Sequence, residues 1–400
     1  MIEREDEFEF RIRTVVRRYS ETVFFVVVLG LFALVNFYII RRGWQALAGL
    51  GAVRIVVFCL YLGLFVSLFV SRIVFHRHPG RVSEVFAGGG FFFFGVMIYF
   101  FLMIILIDLF RLANRVFPFF PSFVRANGRL AGRWAFGVVV GMTLVLLIGG
   151  WIHSRHFRIK TMEITIAKQA GTIQDLDVVL LSDIHVGPFL YNPSLEKIVA
   201  AINSLNPDIV LVPGDVLNEE TLPDELEKMT VTFRKIRSRW GVFASTGNHE
   251  YFAGIKKSLA LLARSDMTVL QNEARLIADS FYVVGRNNSN YIGSREKRTP
   301  LKDILAGANM SLPVILLDHQ PVHLEEAADA GVDLQLSGHT HAGAIFPITL
   351  INDLIWEIGR GYGRKKNTQY YVSSGVGVWA PPARIGTTAE IVHMKIKFRP

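Results

Sequence analysis

Five short phrases, Asp183-Ile184-His185, Gly214-Asp215, Gly247-Asn248-His249-Glu250, Asp318-His319 and Gly338-His339-Thr340-His341, gather Asp, Asn and His in the second half of the chain. Carboxylates, an amide oxygen and neutral imidazoles are donors for divalent Mn, Fe, Zn, Co or Ni, and the set offers no thiolate. One carboxylate placed between two ions can bridge them. Two metals about 3.5–4 Å apart can clamp a phosphoryl group, lower the pKa of a water and offset charge on the attacking and leaving oxygens. The residue types therefore describe in-line hydrolysis of a phosphoester.

Each phrase directly follows a short apolar run: Val178 to Leu181, Ile209 to Val212, Val242 to Ala244, Val314 to Leu317 and Leu334 to Leu336. Runs this short, rich in Val, Ile and Leu and closed by Gly, Asp or Asn, read as buried strands. Helical spacing occupies Ser194 to Leu205, Asp224 to Arg237, Ile255 to Leu262 and His323 to Ala330 between them. A strand, a loop bearing donors and a helix thus repeat. In open α/β sheets, such loops gather at the carboxyl ends of the strands, so residues distant in sequence can meet there.

At these residues the chain resembles the calcineurin-like metallophosphoesterase superfamily, in its membrane-associated branch. That pattern runs Asp-x-His, Gly-Asp, Gly-Asn-His-Glu/Asp, a lone His and Gly-His-x-His, and all five pieces occur in order over residues 183 to 341. The resemblance implies an α/β domain built as a four-layer α-β-β-α sandwich. It also implies a site of two divalent metals. Asp183, His185, Asp215 and His341 would hold one ion, and Asp215, Asn248, His319 and His339 the other, with Asp215 bridging. A metal-bridging hydroxide would attack, and catalytic His249 would stabilise phosphoryl charge or protonate the leaving oxygen. Two departures stand out: Asn218 occupies the place of a carboxylate in the Gly-Asp-x-x-Asp form of the second phrase. Ala342-Gly343-Ala344 replaces the Gly-Gly-Gln that often follows the last. Ser373 to Gly377 and Pro381 to Arg384 are also similar to that branch.

Residues 1–155 read differently, as an α-helical membrane region of four spans ahead of the α/β domain at 156–400. Thr22 to Ile40, Ile55 to Val70, Phe86 to Ile107 and Trp134 to Ile152 are apolar all round and rich in Phe, with the second short for a bilayer. The first follows a charged tail and is bounded by Arg41 and Arg42, unlike a cleaved signal peptide. With the amino terminus inside, the inner loops collect 11 Lys+Arg against 8 outside, a balance that favours a cytoplasmic catalytic domain.

The net charge of +9 resides in the membrane region: residues 1–160 hold 19 Lys+Arg and 8 Asp+Glu. The remainder is slightly acidic. That distribution points to anionic headgroups as partners of the basic loops, and not to nucleic acid. The lone Cys59 lies in the second span, which excludes an intrachain disulfide and a cysteine metal site. Of the other histidines, His323 reads as a surface or supporting residue, and His76, His78, His153, His156 and His393 as interfacial or solvated.

No nucleotide-binding glycine loop is present. The apolar run Ile345 to Trp356 beside the basic, glycine-rich Gly359 to Lys366 reads either as a pocket wall next to a cationic loop, suited to a lipid-linked phosphoester, or as ordinary core next to a solvated loop. Two other classes are weighed. A non-catalytic membrane scaffold retaining the fold would have no need of His249 together with four metal histidines. A transporter would need midplane charges that the spans lack, Asp108 lying at the edge of the third.

Overall fold

The computed structural model describes residues 2–77, 80–187, 193–288 and 298–399; His78 lies outside them. The chain divides into two compact units, residues 1–65 with 93–145 and residues 66–92 with 146–400. Four long helices run through the first part of the chain: Ile2–Ala46, Gly51–Arg77, Arg81–Val116 and Gly128–Ser154. Each contains a stretch long and apolar enough to cross a membrane. The second helix has 27 residues where the apolar run Ile55 to Val70 is short, because Ile73, Val74 and Phe75 resume the hydrophobic pattern beyond Ser71 and Arg72.

In the first unit, apolar side chains such as Val26, Leu34 and Leu60 face outward, and several polar side chains pair with one another. Tyr38 Oη donates to Asp108 Oδ2 at 2.6 Å, and Arg42 Nε donates to the same oxygen at 2.7 Å. Tyr61 Oη donates to Asn36 Oδ1 at 2.6 Å. Polar atoms paired in this way can be held among apolar helices, where an unpaired charge would be costly.

Among the described residues, the second unit contains twelve strands: β1 (Phe157–Ile166), β2 (Asp175–Leu180), β3 (Ile209–Pro213), β4 (Val242–Ser245), β5 (Met267–Val269), β6 (Glu273–Ile277), β7 (Phe281–Gly285), β8 (Val314–Leu317), β9 (Leu334–Ser337), β10 (Gly361–Lys365), β11 (Thr368–Val372) and β12 (Ala389–Phe398). They form two mixed six-stranded sheets, ordered β1-β12-β2-β3-β4-β5 and β10-β11-β9-β8-β7-β6. Strands β2 to β5 run parallel, as do β7, β8, β9 and β11.

Alternation along β2 shows how the layers assemble. Val178 and Leu180 join a core shared with Val283, Ile315, Leu317 and Leu336 of the other sheet, whereas Val179 and Leu181 turn to a second core containing Ile198, Ile202 and Met229. Side chains of successive strand residues point to opposite faces, so a strand covered on both sides is apolar throughout. Helices Leu195–Ser204, Pro223–Phe233 and Ile255–Arg264 cover the first sheet, and Leu301–Ile304 and Leu324–Asp329 the second. This is the α-β-β-α arrangement expected from the family resemblance. Ser194 starts the first of these helices by accepting a hydrogen bond from Lys197 N at 3.3 Å. The helix expected to reach Arg237 stops at Phe233, where three-residue turns take over at Lys235 and Ile236.

The basic glycine-rich stretch is a strand, not a loop. Gly361 to Lys365 forms edge strand β10, antiparallel to β11.

Candidate active site

Five parallel strands deliver the five phrases to one edge of the two sheets. Beyond β2 come Asp183 and His185; beyond β3, Asp215; beyond β4, Asn248 and His249; beyond β8, His319; beyond β9, His339 and His341. Backbone bonds tie these loops together, with Asp183 N donating to Gly214 O at 3.3 Å and His185 N to Asp215 O at 3.1 Å.

All seven metal ligands expected from the sequence converge. Asp183, His185 and His341 bring ligand atoms within 4.8 Å of one another, and so do Asp215, His319 and His339. His185 Nε2 lies 3.8 Å from Asp215 Oδ2, and His319 Nε2 lies 3.0 Å from the same oxygen, so Asp215 stands between the two groups. Asn248 Oδ1 is 3.0 Å from His339 Nδ1. His249 borders the centre, and its backbone N–H donates to Asp215 Oδ1 at 2.9 Å.

Five of these residues have a left-handed backbone: Asp183 (φ 50°), His185 (φ 48°), Asp215 (φ 54°), His339 (φ 71°) and His341 (φ 49°). Such conformations cost about 1–3 kcal/mol each and persist where the surroundings over-determine them. At Asp215, Glu250 supplies that constraint. Its carboxylate accepts from Gly247 N at 2.7 Å, Asp215 N at 3.0 Å, Val216 N at 2.8 Å and Leu217 N at 3.1 Å. Two motif glycines are required by space: a Cβ on Gly247 would lie 2.1 Å from Asp215 Oδ1, and one on Gly338 2.1 Å from Asp183 Oδ2.

The electrostatics suit divalent cations. Burial, reinforced by His249, lowers His185 to about 3, and burial with His319 does the same for His339. Burial likewise holds His341 well below the ordinary histidine range, so three imidazoles stand neutral with lone pairs to offer. Burial alone would raise Asp215, yet the cationic His319 and His249 outweigh it and keep the carboxyl well below its usual range. Burial would lower His319, yet the charge and hydrogen bond of Asp215, joined by the Asp183 charge, together outweigh it and push the pKa up to about 10. The ring nitrogens His185 Nε2 and His341 Nε2 face each other at 3.1 Å, and His319 Nε2 points at Asp215 Oδ2 at 3.0 Å. Ring nitrogens aimed at one another beside two carboxylates fit a metal centre, where a cation takes the place of the His319 proton.

The structure adds residues that the motifs left without a role. Asn218 Oδ1 accepts from His185 Nδ1–H at 2.9 Å, so an amide oxygen orients the imidazole. Glu219 Oε2 accepts from His249 Nδ1–H at 2.9 Å. Burial disfavours the His249 cation, but Asp215 and Glu219 outweigh it and raise the pKa. Trp379 packs edge-on against His249, ring centroids 5.1 Å apart, and its other neighbour is Phe91 at 5.8 Å. Arg384, fully buried, donates to the carbonyls of Ser374 and Gly375 and so braces the turn after β11 that abuts Asp183. Nothing in the motifs marked Glu219 or Trp379.

His153, His156, His323 and His393 lie elsewhere, with other partners. His153 Nε2 lies 3.1 Å from Thr387 O, His393 Nε2 3.1 Å from Asp177 Oδ1, and His156 Nδ1 2.9 Å from Ile152 O. His323 is exposed at the start of helix Leu324–Asp329. A cleft of about 460 Å³ opens beside the centre, and its lining includes His185, Val186, Lys228, Trp151, Ile152 and Arg155.

Residues 176–343 match the family model of the calcineurin-like phosphoesterases. An uncharacterized metallophosphoesterase of Aquifex aeolicus is 30% identical over 264 residues, a match covering 64% of this chain and 98% of that protein. The transmembrane protein with metallophosphoesterase domain of Bos taurus is 32% identical over 288 residues, covering 68% of this chain and 64% of the relative. An uncharacterized metallophosphoesterase of Helicobacter pylori is 34% identical over 230 residues, covering 56% of this chain. The chain spans 60% of that relative's length. Fold, family match and relatives agree: this chain belongs to the calcineurin-like metallophosphoesterases, a family of metal-dependent phosphoesterases.

Proposed function

We propose that the protein is a membrane-anchored phosphohydrolase with a binuclear metal centre, cleaving a phosphodiester or pyrophosphate bond of a lipid-linked substrate. Residues 1–155 form the anchor in this reading and residues 156–400 the catalytic domain, on the cytoplasmic face favoured by the arginine balance. One observation carries it: Asp183, His185, Asp215, His319, His339 and His341 converge, with His249 held beside them by Glu219.

Asp183, His185, Asp215 and His341 would hold one divalent ion, and Asp215, Asn248, His319 and His339 the other. When bound, such a pair supplies Lewis acidity that activates water and offsets phosphoryl charge. The chain's own residues do the rest. Asp215 presents oxygens to both groups of histidines, and Asn218 and the carbonyl of Pro213, 2.7 Å from His319 Nδ1, fix the ring orientations. His249, with its proton affinity raised, is placed to donate to the leaving oxygen. The lipid reading rests on the cleft beside His185, whose lining includes Trp151 and Ile152 at the end of apolar helix Gly128–Ser154. Carbon chains would find apolar surface there, next to the cations Arg155 and Lys228.

Elemental analysis of the full chain, with hydrolysis of mono-aryl and bis-aryl phosphates, tests this reading. Two bound metals, Mn-supported turnover and its loss in Asp215→Asn are the expected results. No bound metal and no turnover with Mn would favour a membrane scaffold that retains the fold.

A further inference from the structure

Helix Ile348–Ile355 has the reverse of the polarity that water demands. It buries Thr349 and Asn352, whose Nδ2 donates to Gly359 O at 3.3 Å. Its apolar residues face out, with Leu350 56% exposed, Ile351 46%, Leu354 86% and Ile355 69%. A helix on an aqueous surface buries its apolar stripe, and a contiguous exposed one marks contact with a partner or a membrane.

The surroundings identify the partner. Phe346, just before the helix, donates its N–H to Ile385 O at 2.7 Å. Ile385 in turn packs so tightly on Gly150 that a Cβ there would lie 2.6 Å from Ile385 Cγ1, and Arg384 N donates to Gly150 O at 3.0 Å. Gly150 belongs to the last turns of membrane-span candidate Gly128–Ser154. One loop, residues 383–387, therefore lies between the exposed apolar face and the end of a membrane helix. Three of the neighbouring cations are paired, Arg360 with Asp353 at 2.8 Å, Lys365 with Glu357 at 3.0 Å and Lys366 with Asp329 at 2.5 Å, whereas exposed Arg364 donates its Nε to Lys366 O at 3.1 Å. The four contiguous exposed apolar side chains outweigh that one cation, so hydrocarbon is the feature this surface fits.

We propose that helix Ile348–Ile355 lies in the interface of the bilayer leaflet from which helix Gly128–Ser154 emerges, its apolar side in the acyl chains. The consequence reaches the metal centre. Trp356, at the end of the helix, packs edge-on against His339 with ring centroids 5.6 Å apart, and Thr340 Oγ1 donates to Gly359 O at 2.7 Å. The loop carrying His339 and His341 is thus fastened to the inserted element, which holds the centre at the membrane surface.

The proposal rests on reading the four apolar helices as membrane spans, and the test separates the two. A Cys59→Ser chain with a single cysteine at Leu354, carrying an environment-sensitive fluorophore, is reconstituted into phosphatidylcholine vesicles with or without lipids bearing a nitroxide near the headgroup end of the acyl chain. Parallel samples carry the probe at Val138, within the span, and at Lys257, on the exposed surface of helix Ile255–Arg264. A blue-shifted emission at Leu354, losing more than about half its intensity to the nitroxide as an interfacial helix should, is expected. Lys257 should stay unquenched. An unquenched Leu354 probe alongside a quenched Val138 probe overturns the proposal. So does a blue shift without quenching that grows with the protein-to-lipid ratio, which would mean that a second copy of the chain covers the face. An unquenched Val138 probe overturns the membrane reading itself.

Discussion

His249 and Glu219 form a hydrogen-bonded pair at the edge of the centre, Nδ1 to Oε2 at 2.9 Å, both nearly buried. Glu219 directly follows Asn218, which orients His185, so two adjacent residues steer two different imidazoles. The carboxylate goes to the histidine that should carry a proton, and the neutral amide to the one that should stay neutral.

His249→Ala should leave metal content unchanged and reduce turnover of aryl phosphates by about 10²- to 10⁴-fold, the range for loss of a positioned acid. Glu219→Gln should retain the hydrogen bond but lose the charge that favours the protonated ring, giving a smaller loss concentrated in kcat. Elemental analysis beside kcat and KM checks both. Metal loss in His249→Ala would make it a ligand instead.

Asn218→Ala removes the acceptor at 2.9 Å from His185 Nδ1 and frees the ring to rotate. Loss of such an outer partner should weaken metal affinity about 10- to 100-fold, whereas Asn218→Asp should preserve or strengthen it by making the imidazole more basic. Calorimetric titration of Mn into metal-stripped protein measures the difference. Equal affinities in all three chains would show that Asn218 does not set the ring.

Glu250→Ala strands four buried N–H groups, those of Asp215, Val216, Leu217 and Gly247. Each unmet donor costs about 1–3 kcal/mol, so a marked fall in thermal midpoint is expected, along with loss of metal binding as the left-handed Asp215 loop relaxes. Gly338→Ala should act more locally. Its Cβ collides with Asp183 Oδ2 and Ser182 Oγ, so metal content should fall with little change in far-ultraviolet circular dichroism. Two metals retained in either variant would contradict the arrangement.

Much of the fold could be read from short-range pattern. The runs before the five phrases became β2, β3, β4, β8 and β9, and Ser194 to Leu205 became a capped helix, since period and capping are local properties. Other features were not local. Gly359 to Lys366 carries glycines and cations that suggest a loop, yet pairing with β11 makes most of it an edge strand. The apolar run after His341 gave no sign of which side of its helix faces inward, because that depends on Gly359 and Ile385, brought alongside by the fold. Long-range contact also decided the partner of His249, as the sequence offers several carboxylates and the turn after Asp215 selects one.

The donor set of the centre follows from residue order alone, since Asp, Asn and His stand in five ordered phrases whatever the path between them. The four long apolar helices likewise follow from the sequence, because length and composition are sufficient for those. The tertiary structure decided which nitrogens and oxygens meet, which imidazole is held by an amide and which by a carboxylate, and that helix Ile348–Ile355 exposes its apolar side beside the end of Gly128–Ser154. Those outcomes depend on strand order and loop closure, which bring together residues from 30 positions apart, as His249 and Glu219, to 156, as His185 and His341.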